Sequence, residues 1–431
     1  MDFSRLLSRF AVAAMGLMFF TPESLLYAQG ADEYIVQFQD GTTAAVRRAA
    51  AAEAGAAVRR IYGSVSAAAV HAPNDRALEA LRRNPTVVAI VPNRPVFAYQ
   101  STNAPGGKKG GGSPQPPQSQ VLPAGVARVG AARSDSNGAG VGVAILDTGI
   151  DLAHADLSVA PAGFSATGPS CQDGHGHGTH VAGTVAALDN TRDVVGVAPA
   201  AQLYCVKVLD NNGSGSDADV IAGLDWVLAN HDQVSPPIKV INMSLGRPGS
   251  ADDNPIMQQA IIALDEAGVS IVVAAGNDPF TEVSEHIPAA YSQVIAVAST
   301  TALSGSNQCQ GVAGVIASDT ASYFTTDGPD VTVSAPGDER EDISRSCFIN
   351  AIGILSTKAG GGTTRMSGTS MAAPHVAGIA ARHYQSSLGL SPSYVKGVIA
   401  DTADRRNVAP LNSPSTAYTH DGVREGIAKA P

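Results

Sequence analysis

The sequence predicts a three-layer α/β domain with a mainly parallel sheet, preceded by a small α+β unit. From residue 119 onward, short apolar runs typical of buried strands alternate with helical segments, which is the pattern of a parallel sheet with helices on both faces. A Gly/Pro-rich stretch separates this region from residues 32–99, where strand and helix patterns also alternate. Hydrophobic residues make up 44% of the 431 residues and charged residues 15%, so the chain can form substantial cores.

The charge is unevenly distributed between the two units. Residues 32–99 carry 8 basic and 6 acidic residues, whereas residues 119–431 carry 16 and 30. The net charge of the whole chain is -10, which repels phosphate backbones and argues against a nucleic-acid partner. The small unit thus has a net positive charge and the large unit a net negative charge, so the two units are mildly complementary.

Residues 1–29 have the pattern of a signal peptide. Arg5 and Arg9 precede an apolar run over Phe10–Phe20, and small or polar residues follow at Ala28-Gln29-Gly30. Eleven apolar residues are too few to cross a bilayer core of about 30 Å as a helix, so a membrane anchor is the weaker interpretation. We expect a secreted protein, extracellular or periplasmic, with no membrane association after the signal is removed.

Export exposes the four cysteines to oxidising conditions. Three pairings are possible. We predict Cys171 with Cys205 and Cys309 with Cys347, because short loops tend to pair locally; free buried thiols are the alternative.

Residues 32–99 contain the elements of a compact α+β unit. The predicted elements are strands Tyr34–Phe38, Ser66–His71 and Val87–Pro92 and helices Thr43–Ala54 and Asp75–Asn84. Residues 100–118 are rich in Gly, Pro, Ser and Gln and cannot bury enough apolar surface to order themselves, which predicts a linker. A large domain over 119–405 and a polar C-terminal tail over 406–431 complete the chain.

The large unit contains five runs predicted as strands. They are Val141–Leu146, Leu203–Val208, Val240–Met243, Val269–Ala275 and Val294–Ala298. The carboxyl ends of parallel strands share one edge of the sheet, where ligands and catalytic groups gather. Asp147 follows the first of these strands, although a lone Asp there is more often a helix cap or turn residue.

Three histidines, His175, His177 and His180, are interleaved with glycines in the segment DGHGHGTH. One interpretation is a zinc site, since imidazoles are common metal ligands. The other makes one imidazole a general base, with the glycines allowing backbone and substrate to approach closely.

Two further polar residues follow strand-like or turn segments. Asn277 comes just after the predicted buried strand Val269–Ala275. It could donate a hydrogen bond to an oxyanion, or it could be a simple turn residue. Ser370 begins an Ala-rich helix, where it could be a nucleophile or only a cap, and Pro374 is expected in the first turn. Ala372 replaces the second glycine of G-x-S-x-G, which disfavours an α/β-hydrolase elbow.

Taken together, an Asp, a His, an Asn and a Ser at separate loop positions supply a catalytic triad and an oxyanion donor. A serine hydroxyl is a weak nucleophile that needs an adjacent imidazole, and the imidazole needs an orienting carboxylate. The chain order Asp, His, Ser matches one of the known convergent arrangements.

The segments DTGID, HGTHVAGT, AAGN and GTSMAAPHVAG resemble the signature blocks of the subtilisin-like serine proteases, in the same order and over residues 119–405. The resemblance implies that Asp147 is the orienting acid, His177 the general base, Ser370 the nucleophile and Asn277 the oxyanion donor. It makes His180 structural and implies an α/β domain of the subtilisin type.

The resemblance also implies a groove that holds a peptide as an added strand. Its two edges would be formed by Asn212, Gly213, Ser214 and Gly215 on one side and by Ser244, Leu245 and Gly246 on the other. The primary pocket would be lined from Ala274 to Gly276, with His286 near its floor.

A structural calcium ion is a further implication, since residues 183–196 resemble the family's calcium loop. The implied ligands are the side chains of Gln120, Asp156 and Asn190 and the backbone carbonyls of Leu188, Arg192 and Val194. A helix-capping loop without an ion is the alternative.

Residues 32–99 resemble the family's inhibitory propeptide, a small ferredoxin-like α+β unit whose tail, Pro95–Tyr99, would lie in the substrate groove. Processing is expected near Tyr99 or near residue 118. We therefore expect a monomeric secreted serine endopeptidase, acting on proteins or peptides, with its propeptide as inhibitor and folding aid. A metallohydrolase built on the three histidines and a non-catalytic binding scaffold are the rival hypotheses.

Overall fold

The computed structural model of the protein describes residues 32–99, 119–133, 135–414 and 422–431. The predicted signal peptide over 1–29 and the predicted linker over 100–118 lie outside the described residues.

The first unit is a four-stranded antiparallel sheet with two helices on one face. Its elements are β1 (Glu33–Phe38), α1 (Ala44–Glu53), β2 (Ala57–Ile61), β3 (Ala67–His71), α2 (Asp75–Arg83) and β4 (Val87–Pro92). The strand order is β2-β3-β1-β4, which confirms the ferredoxin-like α+β prediction. The sequence did not indicate β2, because two arginines interrupt its short apolar run and its side chains are exposed or half-buried.

The two faces of this small sheet have different partners. Val36, Val70 and their neighbours pack against the helices α1 and α2. Ile35 and Val91, which point to the opposite face because side chains alternate along a strand, belong to a core shared with the large unit. The small unit is thus docked through its sheet.

After β5 (Pro95–Ala98), the large unit contributes fourteen strands and six helices within the described ranges. The strands are β6 (Gly142–Asp147), β7 (Val159–Ser165), β8 (Gln202–Lys207), β9 (Ser214–Ser216), β10 (Ile238–Met243), β11 (Leu245–Pro248), β12 (Ser270–Ala274), β13 (His286–Ile287), β14 (Ile295–Thr301), β15 (Gly305–Asn307), β16 (Gly314–Ile316), β17 (Val333–Ile343), β18 (Ile349–Thr357) and β19 (Thr363–Met366). The helices are α3 (Ala124–Arg128), α4 (His177–Ala186), α5 (Asp217–Asn230), α6 (Pro255–Glu266), α7 (Thr369–Ser386) and α8 (Pro392–Asp401).

The main sheet has the order β16-β15-β17-β14-β12-β10-β6-β8-β7, and its pairs from β17 to β7 are all parallel. Helices α4, α7 and α8 pack on one face with Val143 and Ile145, while α5 and α6 pack on the other with Ala144 and Leu146. The three-layer α/β prediction is confirmed. The five strands predicted for this unit are present, with ends shifted by at most three residues.

Both predicted disulfides are confirmed. Cys171 is bonded to Cys205, and Cys309 is bonded to Cys347, which joins the loop after β15 to the hairpin of β17 and β18. Within the described ranges no helix is both long and apolar enough to span a bilayer.

The end of the chain packs against the large unit. Ile427 is fully buried and forms bridges with Ser334 and Asp404. The N–H of Ala430 donates to the carbonyl of Val129 at 2.8 Å. Although the composition of residues 406–431 is polar, its last ten residues are thus anchored to the sheet and to the start of the domain.

Candidate active site

Asp147 is the last residue of β6, at the centre of the main sheet. β6 lies between β8 and β10, and all six of its residues are buried. Oδ1 of Asp147 accepts a hydrogen bond from the backbone N–H of Thr148 at 2.7 Å and lies 2.8 Å from Nδ1 of His177. A buried carboxylate requires such partners, because burial removes the stabilisation that water gives to its charge.

His177 is the first residue of α4, and a glycine stands on each side of it. Gly176 has φ 103°, in the left-handed region that favours glycine. A Cβ on Gly178 would overlap the carbonyl oxygen of Gly149 and would lie 3.1 Å from Oδ1 of Asp147. Only glycine fits in this gap, so the H-G-T-H sequence allows the imidazole and the carboxylate to meet.

The pKa of His177 is set by two opposing effects. Burial lowers it, but the negative charge and the hydrogen bond of Asp147 raise it, and the net direction is upward. Among the described residues, Nε2 of His177 is buried and has no hydrogen-bond partner. One nitrogen of the ring is thus anchored, and the other is free to exchange a proton.

The other two histidines of this segment have different partners. Nε2 of His180 hydrogen-bonds with the carbonyl of Ile354 at 2.9 Å, and burial lowers the pKa of His180 to about 3. The ring of His175 lies 6.3 Å from that of His177, and burial lowers its pKa. Across the described ranges, no group of three or more His, Cys, Asp or Glu side chains is arranged to hold a metal ion. The three imidazoles do not converge as a zinc ligand set.

Asp173 joins the two segments that carry Asp147 and His177, and sequence reasoning missed it. One oxygen of Asp173 accepts hydrogen bonds from Oγ1 of Thr148 at 3.0 Å and from the N–H of Gly176 at 2.8 Å. The other accepts from the N–H and the hydroxyl of Thr179, at 3.0 and 2.6 Å. The available signal was its position before Gly174, since Asp side chains at turns often accept from nearby backbone N–H groups.

Ser370 is the second residue of α7. Gly368, just before the helix, has φ 151°, and the Ser370 side chain is fully buried. Its Oγ donates a hydrogen bond to the carbonyl of Ser244 at 2.9 Å. Because Ser244 directly follows β10, the neighbour of β6, the serine lies at the same carboxyl edge of the sheet as Asp147.

Pro374 lies at the sixth position of α7, so the prediction that it occupies the first turn is wrong. Proline has no N–H, which leaves the carbonyl of Ser370 without its usual helical partner. Oγ of Ser244 donates to that carbonyl at 2.9 Å instead. The reason for the error is that the helix begins at Thr369, closer to the glycine turn than composition indicated.

Asn277 lies beside the start of α7. Its Oδ1 accepts hydrogen bonds from the N–H of Thr369 at 2.9 Å and from the hydroxyl of the same residue at 2.8 Å. An amide nitrogen cannot accept from a backbone N–H, so these bonds fix which way the side chain faces. Nδ2 is buried and has no partner within the described part of the chain. A free amide donor therefore lies next to the residue that precedes Ser370.

Strand β5 of the small unit lies between two strands of the large unit. It pairs antiparallel with β9 on one side and with β11 on the other. The register pairs Pro95 with Ser216, Val96 with Gly215, Phe97 with Ser214 and Gly246, and Ala98 with Leu245. Six of the seven residues expected at the groove edges thus form or adjoin these strands.

The backbone contacts continue to Tyr99. The N–H of Ala98 donates to the carbonyl of Gly213 at 3.0 Å, and the N–H of Tyr99 donates to the carbonyl of Ser244 at 3.3 Å. Asn212, the seventh expected edge residue, is exposed and hydrogen-bonds to Asp210 in the turn before β9. Its contacts are therefore within its own turn.

The side chain of Tyr99 enters the expected primary pocket. A Cβ on Gly246 would lie 2.8 Å from Cε2 of Tyr99, and one on Gly276 would lie 3.2 Å from Nδ1 of His286. Oη of Tyr99 lies 3.2 Å from Nδ1 of His286. Ala274 is fully buried in the core cluster against which Tyr99 packs.

The residues expected to bind calcium form one cluster. Nε2 of Gln120 donates to the carbonyl of Leu188 at 2.8 Å and to that of Val194 at 3.3 Å. These two carbonyl oxygens converge on the end of one side chain. Turning the Gln120 amide by 180° would present its oxygen at the same place, which gives the oxygen-rich environment that Ca²⁺ prefers.

A buried carboxylate completes this cluster. Asp156 is fully buried, and one of its oxygens accepts from Nδ2 of Asn190 at 2.6 Å. The backbone N–H of Arg192 donates to Oδ1 of Asn190 at 2.7 Å, so the loop is closed upon itself. The side chains and carbonyls present fit a hard cation.

A family profile and similar known proteins indicate the same family for this chain. A sequence profile of the subtilase family matches residues 138–420. A subtilisin-like protease of Coccidioides posadasii is 34% identical over 229 residues, which are 53% of this chain and 48% of that protein. This chain thus spans about half the length of that relative.

Two bacterial relatives are covered more fully. A thermostable alkaline protease of Halalkalibacterium halodurans is 36% identical over 267 residues, covering 61% of this chain and 63% of the relative. Subtilisin E of Bacillus subtilis is 34% identical over 385 residues, which cover 85% of this chain and 86% of that protein. With the profile match over most of the large unit and this long alignment, the chain belongs to the subtilase family.

Proposed function

We propose that this chain is the precursor of a secreted serine endopeptidase that hydrolyses peptide bonds of proteins through an acyl-enzyme on Ser370. The observation that carries the proposal is a shared acceptor, the carbonyl of Ser244. It accepts hydrogen bonds both from Oγ of Ser370 and from the N–H of Tyr99. Tyr99, which directly follows strand β5, is therefore next to the hydroxyl of Ser370.

In the proposed reaction, Oγ of Ser370 forms a bond to the substrate carbonyl carbon while Nε2 of His177 takes its proton. Asp147 holds the other nitrogen of the ring and stabilises the imidazolium. His177 then protonates the leaving amine, the peptide bond breaks, and a water molecule releases the acyl group by the same route. The hydroxyl must first turn away from Ser244, with which it is hydrogen-bonded before reaction.

Asn277 is the proposed donor to the oxyanion. Its Nδ2 is unpartnered among the described residues, while its Oδ1 is held by Thr369. A donor that is already oriented stabilises developing charge without reorganisation, a contribution of about 2.7–4 kcal/mol in related chemistry. The amino end of the 18-residue helix α7 adds a favourable dipole.

The proposed substrates are polypeptides bound in extended form. Strands β9 and β11 offer main-chain groups on both sides, which give affinity without dependence on sequence. In the precursor these groups are occupied by β5, and this supports the role of residues 32–99 as an inhibitor. We propose that the precursor cleaves itself after Tyr99 and that trimming toward Ser119 follows.

Calcium is proposed as a structural ion held by Gln120, Asp156, Asn190 and the carbonyls of the same loop. When bound, it would supply positive charge that offsets the buried carboxylate and would tie the amino end of the mature chain to the loop after α4. None of the steps above uses it. Secretion is proposed from the leader over 1–29, and the two disulfides agree with an oxidising environment.

Replacing Ser370 with Ala in the full precursor tests the proposal. Intact precursor should accumulate, casein hydrolysis should be lost, and a phosphonylating reagent should no longer label the protein. Ser386→Ala is the matched control, because Ser386 is an exposed residue at the far end of the same helix. Continued processing and hydrolysis by the Ser370→Ala protein would overturn the assignment.

A further inference from the structure

The pocket that holds Tyr99 contains a polar group whose geometry suits a phenol. Oη of Tyr99 lies 3.2 Å from Nδ1 of His286, and the two rings meet edge to face with their centroids 6.1 Å apart. His286 is 4% exposed, so this nitrogen has little access to water. This inference rests on the proposed function of the same site and extends it to selectivity.

The second nitrogen of His286 determines what the first can do. Nε2 lies 2.7 Å from Oγ1 of Thr281, and that hydroxyl donates to the carbonyl of Asp278 at 3.3 Å. A hydroxyl has one proton, so the oxygen of Thr281 must accept from Nε2–H. In the neutral ring the proton is then on Nε2, and Nδ1 carries a lone pair.

The protonation states agree with this arrangement. Burial lowers the pKa of His286 and keeps the ring neutral. Burial raises the pKa of Tyr99, so its hydroxyl keeps its proton. The chain of donors therefore runs from Tyr99 to His286, from His286 to Thr281 and from Thr281 to the backbone of Asp278.

We propose that His286, positioned by Thr281, is a specificity-determining residue that makes the primary pocket select tyrosine over phenylalanine before the cleaved bond. A phenylalanine fills the same apolar space but leaves the buried Nδ1 without a donor, and a buried acceptor without a partner is unfavourable. The loss of one such hydrogen bond corresponds to about a tenfold change in kcat/KM.

Two peptide substrates, Pro-Val-Phe-Ala-Tyr and Pro-Val-Phe-Ala-Phe, each joined to a chromogenic amine, measure this selectivity with the self-processed protein. We expect about tenfold higher kcat/KM for the tyrosine peptide. His286→Phe should bring the ratio near one while phenylalanine cleavage continues. Thr281→Val, which preserves size but removes the acceptor for Nε2–H, should reduce the ratio; Ser284→Ala, in the same loop, should not.

A second measurement changes the residue that the pocket holds in the precursor. Tyr99→Phe in the full precursor should slow self-cleavage about tenfold in the parent protein and much less in the His286→Phe protein. Equal cleavage of both peptides by the parent, or a ratio unchanged by both pocket variants, would overturn the selectivity alone. Failure of the parent to cleave either peptide would overturn the proposed function and this inference with it.

Discussion

Ser244 and Ser370 are joined by two hydrogen bonds that run in opposite directions. Oγ of Ser370 donates to the carbonyl of Ser244, and Oγ of Ser244 donates to the carbonyl of Ser370, both at 2.9 Å. The second bond exists because Pro374 cannot supply the helical N–H. These two bonds therefore fix one edge of the substrate groove to the start of α7.

Ser244→Ala should destabilise the protein by about 1–2 kcal/mol, because it leaves the buried carbonyl of Ser370 without a donor. Pro374→Ala restores a helical N–H to that carbonyl, so Ser244→Ala should have much less effect in the Pro374→Ala background. Denaturant unfolding of the four proteins in this double-mutant cycle measures the coupling. Additive effects would show that Ser244 does not replace the missing helical bond.

Asn277→Ala should lower kcat about 10²–10³-fold and leave KM nearly unchanged, because the amide acts on charge that develops only in the transition state. Steady-state kinetics on a peptide substrate provide both constants. Thr369→Val is the comparison variant, because it removes one of the two bonds that hold Asn277 and keeps the amide. A rise in KM with kcat intact would contradict the oxyanion role.

The pH profile should report the ionisation of His177. A general base acts only when neutral, so kcat/KM should fall as the pH falls through its pKa, which Asp147 raises above the ordinary value of about 6.5. Asp147→Asn should move this midpoint downward and lower kcat about 10⁴-fold. His175→Gln is the control for a neighbouring imidazole and should leave the midpoint of the pH profile unchanged. A midpoint that is also unchanged by Asp147→Asn would refute the pairing of Asp147 with His177.

Asp225 should contribute to retention of the propeptide. Its carboxylate accepts hydrogen bonds from the successive N–H groups of Gly63, Ser64 and Val65, at 2.8, 2.5 and 3.3 Å. Asp225→Asn removes the charge, and the cleaved propeptide should dissociate about tenfold faster, a modest effect because the contact is partly solvated. Dissociation followed by surface plasmon resonance measures this rate.

The control for that experiment is Asp232→Asn, an exposed acid just beyond the same helix. It changes the net charge of the large unit equally. Equal acceleration by both variants would mean that overall charge, and not the contact with residues 63–65, retains the propeptide.

Calcium removal should lower the thermal midpoint of the processed protein. An ion at 100 times its dissociation constant stabilises the folded state by about 2.7 kcal/mol, and a chelator removes this contribution. Asp156→Asn should lower the midpoint and abolish the response to chelator. Differential scanning calorimetry of the parent and the Asp156→Asn protein, with and without chelator, tests both expectations. A thermal midpoint of the parent protein that does not change with chelator would argue against a bound ion.

Much of this site could be anticipated from local sequence because its residues occur in short segments with strong patterns. Asp147 follows an apolar strand, and glycines surround His177 where only glycine allows the two side chains to meet. Asp173 and Thr281 could not be found in this way. Their roles depend on contacts with Thr179 and His286. The position of Asp173 before a glycine indicates only bonds to nearby backbone N–H groups, and nothing in the sequence around Thr281 indicates its partner.

The sequence by itself determined the two units, the positions of the parallel strands along the chain and the candidate triad, and it favoured the two observed disulfide pairs over the alternatives. Each of these depends on patterns within a few residues, on family resemblance or on a preference for local pairing. The family resemblance already implied that Pro95–Tyr99 lies in the groove. Only the tertiary structure decided the register there, with Phe97 opposite both Ser214 and Gly246, and the contact of Tyr99 with His286, 187 residues away. Contacts between distant segments depend on how the units pack, and neither periodicity nor composition specifies that packing.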